Sequence, residues 1–300
     1  MSPARPNMVS WREAAPIRSG EGPGTRYRHF APSDPIGTQS VHQSGRSTAG
    51  GGVIATAGRA LPALGASGRR SRPVVDMTHR LVTDFPTFFP GDNAITDELL
   101  FDFDTSGFYA KQWTCAEHIG THIDAPGHFG ENAMLIDEIP ADRLVAPLAV
   151  INIKQKAADD PNATVDPDDL IAYERRYGRI PRRALVAMNS GWASRVEDND
   201  GFRGGTGFPN LNFPGFSIDA TDWLVTHRDP VGIACDTMSL DPGNSPDFAV
   251  HFGFLPTNRY GIESIAGLDD VPARGTRVFV GALPWADGSG GPCRILAFTS

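Results

Sequence analysis

The segment 118–128 constrains the local fold of this 300-residue chain more than any other stretch. It contains three residues that disfavour a helix, Gly120, Pro126 and Gly127. In an extended strand, alternate side chains project to the same side. We therefore predict a strand over 118–124, in which His118, His122 and Asp124 share one face and the glycine between the two histidines leaves room for their imidazoles.

These residue types have the chemistry of a metal site. Two neutral imidazoles and a carboxylate suit Zn²⁺, Mn²⁺ or Fe²⁺, and three protein ligands leave positions open for water. His128 follows a Pro-Gly turn that can bend it back over the same site. The alternative is that the histidines are hydrogen-bonded packing residues, but three histidines and one aspartate within eleven residues favour a functional site.

A second group, His251 and Glu263, lies further along the chain. A histidine followed twelve residues later by a glutamate is by itself a weak signal, and such a pair is usually structural or on the surface. Next to an incomplete first cluster, however, the pair gains meaning as a source of further ligands. It could complete one metal site or hold a second ion.

Charge divides the chain into two parts. Residues 1–72 carry ten arginines and three acidic residues, whereas the whole chain has a net charge of −8. The basic part is rich in Gly, Ser and Ala and has little hydrophobic periodicity, so we predict a flexible extension over 1–72 and a folded domain over 73–300. The acidic balance argues against nucleic acid or an anionic membrane as the partner, and no apolar run reaches the ~20 residues of a membrane helix.

The N-terminal part contains one weak targeting signal. Residues 49–58 are small and mildly apolar, and only Arg46 stands shortly before them. Twin-arginine export requires a pair of arginines in front of an apolar core. We therefore expect a cytoplasmic protein, and export remains the alternative.

The rest of the pattern predicts a mixed α/β domain. Apolar, β-branched runs predict buried strands at 144–153, 183–189, 231–236, 277–284 and 294–298, and an aromatic stretch predicts one at 101–116. Asp166 and Ser217 have the residue types of helix N-caps. The three cysteines are far apart without a C-x-x-C pair, so we expect buried apolar residues rather than a disulfide or a thiolate site.

The histidine segment resembles the signature of the cyclase-like metal hydrolases, a family that includes bacterial kynurenine formamidase and isatin hydrolase. The family pattern H-x-G-T-H-x-D-x-P-x-H-F is matched at every fixed position from His118 to Phe129. The resemblance extends over about residues 74–298 and includes the His251/Glu263 pair. It implies a single α/β domain of the swivelling β/β/α type with a mixed sheet, assembled as a homodimer or homotetramer.

The resemblance also implies a ligand set. His118, His122 and Asp124 bind the first divalent metal, Zn or Mn. Where the family holds two ions, Asp124 and Glu263 bridge them and His251 binds the second.

Two further roles follow from the same resemblance. His128 is the catalytic proton donor and acceptor. Formamidases place a substrate-contacting tryptophan where this chain has Phe89, with Phe88 beside it. These phenylalanines predict an aromatic or apolar wall of the substrate site.

The expected function is therefore metal-dependent hydrolysis of an amide, formamide or cyclic amide in a small molecule. The metal lowers the pKa of water, and a histidine moves the proton. One alternative is a lactone hydrolase or a biosynthetic cyclase on the same metal site. Another is a metal-bearing protein without turnover, since fold alone does not give function.

Overall fold

A computed structural model describes residues 74–92 and 94–299. The predicted flexible extension over 1–72 and the weak export signal lie outside these residues, and both stay predictions. Within the described ranges, no helix is both long and apolar enough to cross a membrane.

The described residues form thirteen β-strands and six α-helices. The strands are β1 Val74–Asp76, β2 Ile95–Phe101, β3 Ala110–Cys115, β4 His122–Asp124, β5 Val145–Asn152, β6 Thr164–Val165, β7 Leu185–Asn189, β8 Gly215–Phe216, β9 Gly232–Cys235, β10 Tyr260–Glu263, β11 Arg277–Gly281, β12 Gly290–Pro292 and β13 Arg294–Phe298. The helices are α1 Phe103–Ser106, α2 Lys154–Asp159, α3 Pro167–Tyr177, α4 Asn199–Arg203, α5 Ile218–His227 and α6 Ala249–Phe254.

Nine of these strands form one mixed sheet, which confirms the predicted mixed α/β class. Their order is β1-β13-β11-β5-β7-β9-β10-β4-β12. The central pairs β5–β7, β7–β9 and β9–β10 are parallel, and the flanking pairs are antiparallel. Two small sheets, β2–β3 and β6–β8, stand beside it. The metal-site candidates of the sequence lie at the β10–β4–β12 end.

The central strands are buried on both faces, as parallel strands usually are. In β5, Leu148 belongs to one apolar cluster and Ala149 to the other. Helices α3, α5 and α6 cover the second cluster with side chains such as Leu170, Leu224 and Phe254, which are at most 1% exposed. The unbroken apolar runs of the sequence are therefore the strands whose two faces are both buried.

Both predicted helix starts are present. Helix α3 begins at Pro167 directly after Asp166, and α5 begins at Ile218 directly after Ser217. The Ser217 hydroxyl accepts a hydrogen bond from the Ala220 backbone N–H at 3.2 Å and donates to the Val165 carbonyl at 3.0 Å. The cap thus joins α5 to β6.

Two predictions were wrong in detail. The stretch 101–116 is not one strand, because Phe101 ends β2, a short helix follows, and β3 returns antiparallel to β2. Gly107, with a φ of 72°, ends that helix in the left-handed conformation that glycine adopts easily. Cys115, at the end of β3, is exposed, whereas Cys235 and Cys293 are buried as expected.

The Ser217 cap yields a stability prediction. Ser217→Ala removes the acceptor for the first turn of α5 and should lower the free energy of unfolding by about 1 kcal/mol. Ser217→Thr keeps the hydroxyl and should stay within about 0.5 kcal/mol of the wild type. Urea unfolding of both variants is the measurement, and equal losses in the two would contradict a capping role.

Candidate metal centre and active site

Strand pairing brings His122, Asp124 and Glu263 together. Strand β4 lies between β10 and β12, and His122 stands directly opposite Glu263 in the antiparallel β4–β10 pair. Directly opposite residues point to the same face of a sheet, and so do residues two apart along one strand. The three side chains therefore share one face, and each is at most 5% exposed.

The predicted strand is shorter than expected at its N-terminal end. Only residues 122–124 are extended, and Gly120 turns the chain with a φ of 65°. A Cβ added there would lie 2.4 Å from the Leu81 Cδ1 atom, so the glycine makes room for Leu81 rather than for the two imidazoles. His118 reaches the site from this turn and not by strand alternation. Its Nδ1 atom nevertheless lies 2.7 Å from Asp124 Oδ1.

Each of three imidazoles is held by a hydrogen bond at one nitrogen, and its other nitrogen faces the carboxylates of Asp124 and Glu263. His122 donates from Nδ1 to the Gly120 carbonyl at 2.9 Å. His251 donates from Nδ1 to Asp241 at 2.6 Å, and its Nε2 lies 3.1 Å from Glu263 Oε1. Such outer partners set the tautomer and orientation of a ligating histidine.

The third imidazole, that of His118, is held by a chain of two hydrogen bonds on the side away from Asp124. Its Nε2 donates to the Ser289 hydroxyl at 2.9 Å, and that hydroxyl donates to Glu117 at 2.5 Å. Its Nδ1 then faces Asp124. The inner nitrogens of all three imidazoles thus converge on the two carboxylates of Asp124 and Glu263.

Within the described residues, two groups of three side chains bring potential ligand atoms within 4.8 Å of one another. They are His118/Asp124/His128 and His122/Asp124/Glu263. The structure therefore divides the predicted first-metal set between two groups that share Asp124. The assignment of His118, His122 and Asp124 to one ion stays a prediction.

Two buried atoms of the cluster indicate that a cation fits there. His122 Nε2 and Asp124 Oδ2 are buried and lack a hydrogen-bond partner. Buried polar atoms are normally satisfied, and an exception calls for an explanation such as an ion. Imidazole nitrogen and carboxylate oxygen are both common ligands of divalent metals. A cation between the two atoms would therefore give each of them a partner.

The electrostatics of the cluster also favour a bound cation. Burial lowers the pKa of His122, but the nearby carboxylates of Asp124, 3.2 Å from Nε2, and Glu263 outweigh it and raise that pKa to about 9. Burial and the Asp124 charge raise the pKa of Glu263. Two adjacent buried carboxylates attract positive charge, which either a proton or a metal ion supplies. A bound metal would displace the imidazole protons.

His128 lies over this cluster. Its ring stacks on that of His118 with centroids 3.8 Å apart. Burial lowers the pKa of His128 to about 3, against the opposing pull of the Asp124 charge. The imidazole is therefore neutral at physiological pH and has a lone pair with which to accept a proton. The Pro-Gly turn before it is part of a short 3₁₀ helix, Pro126–His128.

The predicted wall residues contact a different set of rings. Phe88 packs against Phe213 at 6.3 Å between centroids, and Phe89, 37% exposed, lies 5.7 Å from Phe208. The structure records these contacts and not one with the cluster's imidazoles, so a substrate contact of Phe88 and Phe89 stays a prediction.

Other aromatic rings lie directly beside the histidines. The Phe129 ring is 4.7 Å from both His128 and His251, and Phe248 is 5.8 Å from His251. Phe252, 56% exposed, packs on Phe129 at 4.8 Å. These rings form an aromatic wall, defined here as Phe129, Phe248 and Phe252, on one side of the cluster.

Sequence reasoning assigned no role to the outer partners or to this wall, although Phe129 is the last fixed residue of the matched pattern. Asp241 lies ten residues before His251, and Ser289 lies far from Glu117 and His118 along the chain. Among the outer partners, Asp241 had a sequence signal, because it ends the stretch Asp-Thr-Met-Ser-Leu-Asp, residues 236–241, within the region that resembles the family. Phe248 had no signal in the sequence. In the structure it has a φ of 50°, a conformation uncommon for a phenylalanine.

Comparison with known proteins shows which family this chain matches. The model of the Cyclase family, described as "Putative cyclase", matches residues 75–242. Isatin hydrolase of Roseibium aggregatum is 32% identical over 224 residues, which are 71% of this chain and 84% of that protein. Kynurenine formamidase of Salinibacter ruber is 23% identical over 222 residues, or 72% of this chain and 93% of that protein.

A solved structure agrees with these matches. Isatin hydrolase A from Ralstonia solanacearum superposes with a TM-score of 0.71 at 32% identity, over 76% of this chain and 92% of that one. The resemblance inferred from the histidine segment is thereby confirmed. The chain belongs to the cyclase family.

Proposed function

We propose that this protein is a metal-dependent hydrolase that opens the amide, formamide or cyclic amide carbonyl of a small aromatic or apolar molecule. The observation that carries the proposal is the convergence of three anchored imidazoles on two buried carboxylates, Asp124 and Glu263. Relatives named isatin hydrolase and kynurenine formamidase support the reaction class. The substrate is a small molecule, and the assembly is a homodimer or homotetramer.

The ligand set follows from the inner atoms of the cluster. We assign His118 Nδ1, His122 Nε2 and Asp124 to a first divalent ion, Zn or Mn, with Glu263 and His251 Nε2 completing that site or holding a second ion. When bound, the ion supplies Lewis acidity and lowers the pKa of water.

His128 handles the proton in this proposal. As a neutral imidazole stacked on His118, it accepts the proton of the water that attacks the carbonyl and returns it to the leaving nitrogen. Chelator-reversible hydrolysis of formyl-anilides, isatin and lactones tests the reaction. A product heavier by one water supports hydrolysis, whereas loss of one water with ring closure would favour a biosynthetic cyclase.

Metal binding and turnover should separate in two histidine variants. His122→Ala removes an inner ligand, so the purified protein should lose most of its metal by elemental analysis. His128→Ala should keep its metal and lose about 10²- to 10⁴-fold in kcat, the usual contribution of a general base.

His227→Ala is the matched control, because among the described residues that exposed imidazole bonds to the Trp223 carbonyl and stacks on the Trp223 ring, both on α5. It should keep both metal and activity. Normal metal content in His122→Ala would contradict the ligand set, and full activity in His128→Ala would remove its proposed role.

Asp241 should matter through orientation. It accepts the Nδ1–H of His251 and also the backbone N–H groups of Val250 and His251. Asp241→Asn keeps an oxygen acceptor for the fold but weakens the hold on the imidazole, so metal affinity should fall about 10- to 100-fold. Titration of apo protein with Zn²⁺ and Mn²⁺ measures it. Asp222→Asn, at an exposed position on α5, is the control, and equal affinities in the two variants would count against the role of Asp241.

The aromatic wall should discriminate between substrates. Phe248→Asn removes the ring and keeps a residue type that tolerates the left-handed backbone at φ 50°. For aromatic substrates kcat/KM should fall roughly 10-fold, since an aromatic contact contributes about 0.5–1.5 kcal/mol, whereas small aliphatic amides should be nearly unaffected. Phe89→Ala provides the comparison. A loss confined to the Phe89 variant would place the wall on that side instead.

A further inference from the structure

The dipeptide Asp287-Gly288 lies in a tight turn directly before Ser289. The Gly288 N–H donates to the Trp285 carbonyl at 3.1 Å, which closes a β-turn, and residues 283–287 are all exposed. Asp287 occupies the third position of this turn with a φ of 59°, where glycine or asparagine is usual. An aspartate is therefore held in an unfavourable backbone conformation at the surface of the protein.

An aspartate followed by glycine can rearrange without an enzyme. The glycine nitrogen attacks the side-chain carboxyl carbon of the aspartate, and the N–H proton leaves as water together with the carboxyl hydroxyl. The product is a cyclic succinimide. Water then opens the ring at the α-carbonyl, so that the chain continues through the side-chain carbonyl as isoaspartate. The water lost is regained, and the rearranged chain has the same mass as the original. Glycine favours the attack, since it has no side chain to obstruct its nitrogen.

The chain contains two Asp-Gly dipeptides, and the structure distinguishes them. Asp200, in the first turn of α4, has an 80% exposed side chain but accepts a hydrogen bond from Arg203 at 2.8 Å. The Gly201 N–H donates to the Asp198 carboxylate at 3.0 Å. Both reacting groups are thus engaged at that dipeptide. The carboxylate of Asp287 has neither a hydrogen bond nor an ion pair with any residue that the structure describes.

The turn at Asp287 should also open easily. The one hydrogen bond of the Gly288 N–H is the bond that closes the turn, and the residues before it are exposed. Exposed segments with few buried contacts open locally at a small cost in free energy. Opening also releases Asp287 from its left-handed conformation, which leaves the glycine nitrogen free to attack.

Gly288 itself has no room for a longer backbone. A Cβ atom added there would lie 3.0 Å from atoms of Glu117, Ile136 and Trp285, which is tighter than ordinary van der Waals contact. Isoaspartate formation inserts the Cβ atom of Asp287 into the main chain directly before this packed position. The residues that follow should therefore be displaced.

The first of those residues is an outer partner of the metal cluster. The Ser289 backbone N–H donates to the Glu117 carboxylate at 3.2 Å, and the Ser289 hydroxyl donates to the same carboxylate at 2.5 Å. That hydroxyl also accepts the hydrogen bond of His118 Nε2 at 2.9 Å. A displaced Ser289 would hold the His118 imidazole less firmly, and such outer partners contribute to metal affinity.

We propose that Asp287 is a site of spontaneous isoaspartate formation, and that the rearranged chain binds its metal more weakly. Water is the only co-reactant. The first part is independent of the reaction that the protein performs, whereas the second rests on the proposed metal site. Prolonged incubation would therefore lower the metal content of the protein without a change in its mass.

Peptide mapping of incubated full-length protein tests the first part. At physiological pH and temperature, the peptide with Asp287 should gain an isomer of equal mass that fragmentation identifies as isoaspartate, and the peptide with Asp200 should not. In urea-unfolded protein both peptides should isomerise at similar rates. Asp287→Gly, which suits the positive φ and has no carboxyl group, is the matched control. Equal isomerisation of the two peptides in folded protein, or none at position 287, would overturn the proposal.

Metal titration of fresh and incubated protein tests the second part. The isoaspartyl fraction, separated by ion exchange, should bind Zn²⁺ about 10-fold more weakly than fresh protein, within the range expected for loss of an outer partner. Incubated Asp287→Gly should keep its affinity. Unchanged affinity of the isoaspartyl fraction would refute the link to His118. If even fresh protein bound no metal, the proposed function would fail together with this link, and only the isoaspartate site would stand.

Discussion

The buried charge of Asp124 is the constraint on which the site depends. The residue is 1% exposed, and a carboxylate taken out of water costs several kcal/mol unless other groups compensate it. The imidazoles of His118, His122 and His251 lie 2.7, 3.2 and 3.6 Å from its oxygens. The three nearby imidazoles lower the pKa of Asp124 well below its usual range, although burial alone would raise it. The rest of the site is an arrangement of positive or polar groups around this one side chain.

Local spacing was sufficient to predict much of the site. The alternation of His122 and Asp124 required only the period of a strand, and the structure has both on one face of β4. The central strands and the starts of α3 and α5 were also predictable, because apolar runs and cap residues act within a few positions. Local spacing failed at His118, where the left-handed turn at Gly120 replaces the strand.

Contacts between distant segments could not be read from spacing. The order of nine strands places Glu263 opposite His122, and nothing in either segment alone encodes that pairing. The Asp241 and Ser289 partners of the imidazoles are of the same kind. The resemblance supplied Glu263 and His251 as candidates, but it assigned no role to the outer partners of the imidazoles or to the rings of Phe129 and Phe248 beside the histidines.

Strand β4 has only three residues, and two of them belong to the cluster. A slip of one position against β10 and β12 would turn Ile123 toward Glu263 and move the side chains of His122 and Asp124 into the aliphatic interior, where Ile123 now lies completely buried. Correct alignment of the backbone and assembly of the ligand sphere are thus one event. Cation uptake by a purified batch therefore doubles as a gauge of the fraction of molecules that reached native pairing.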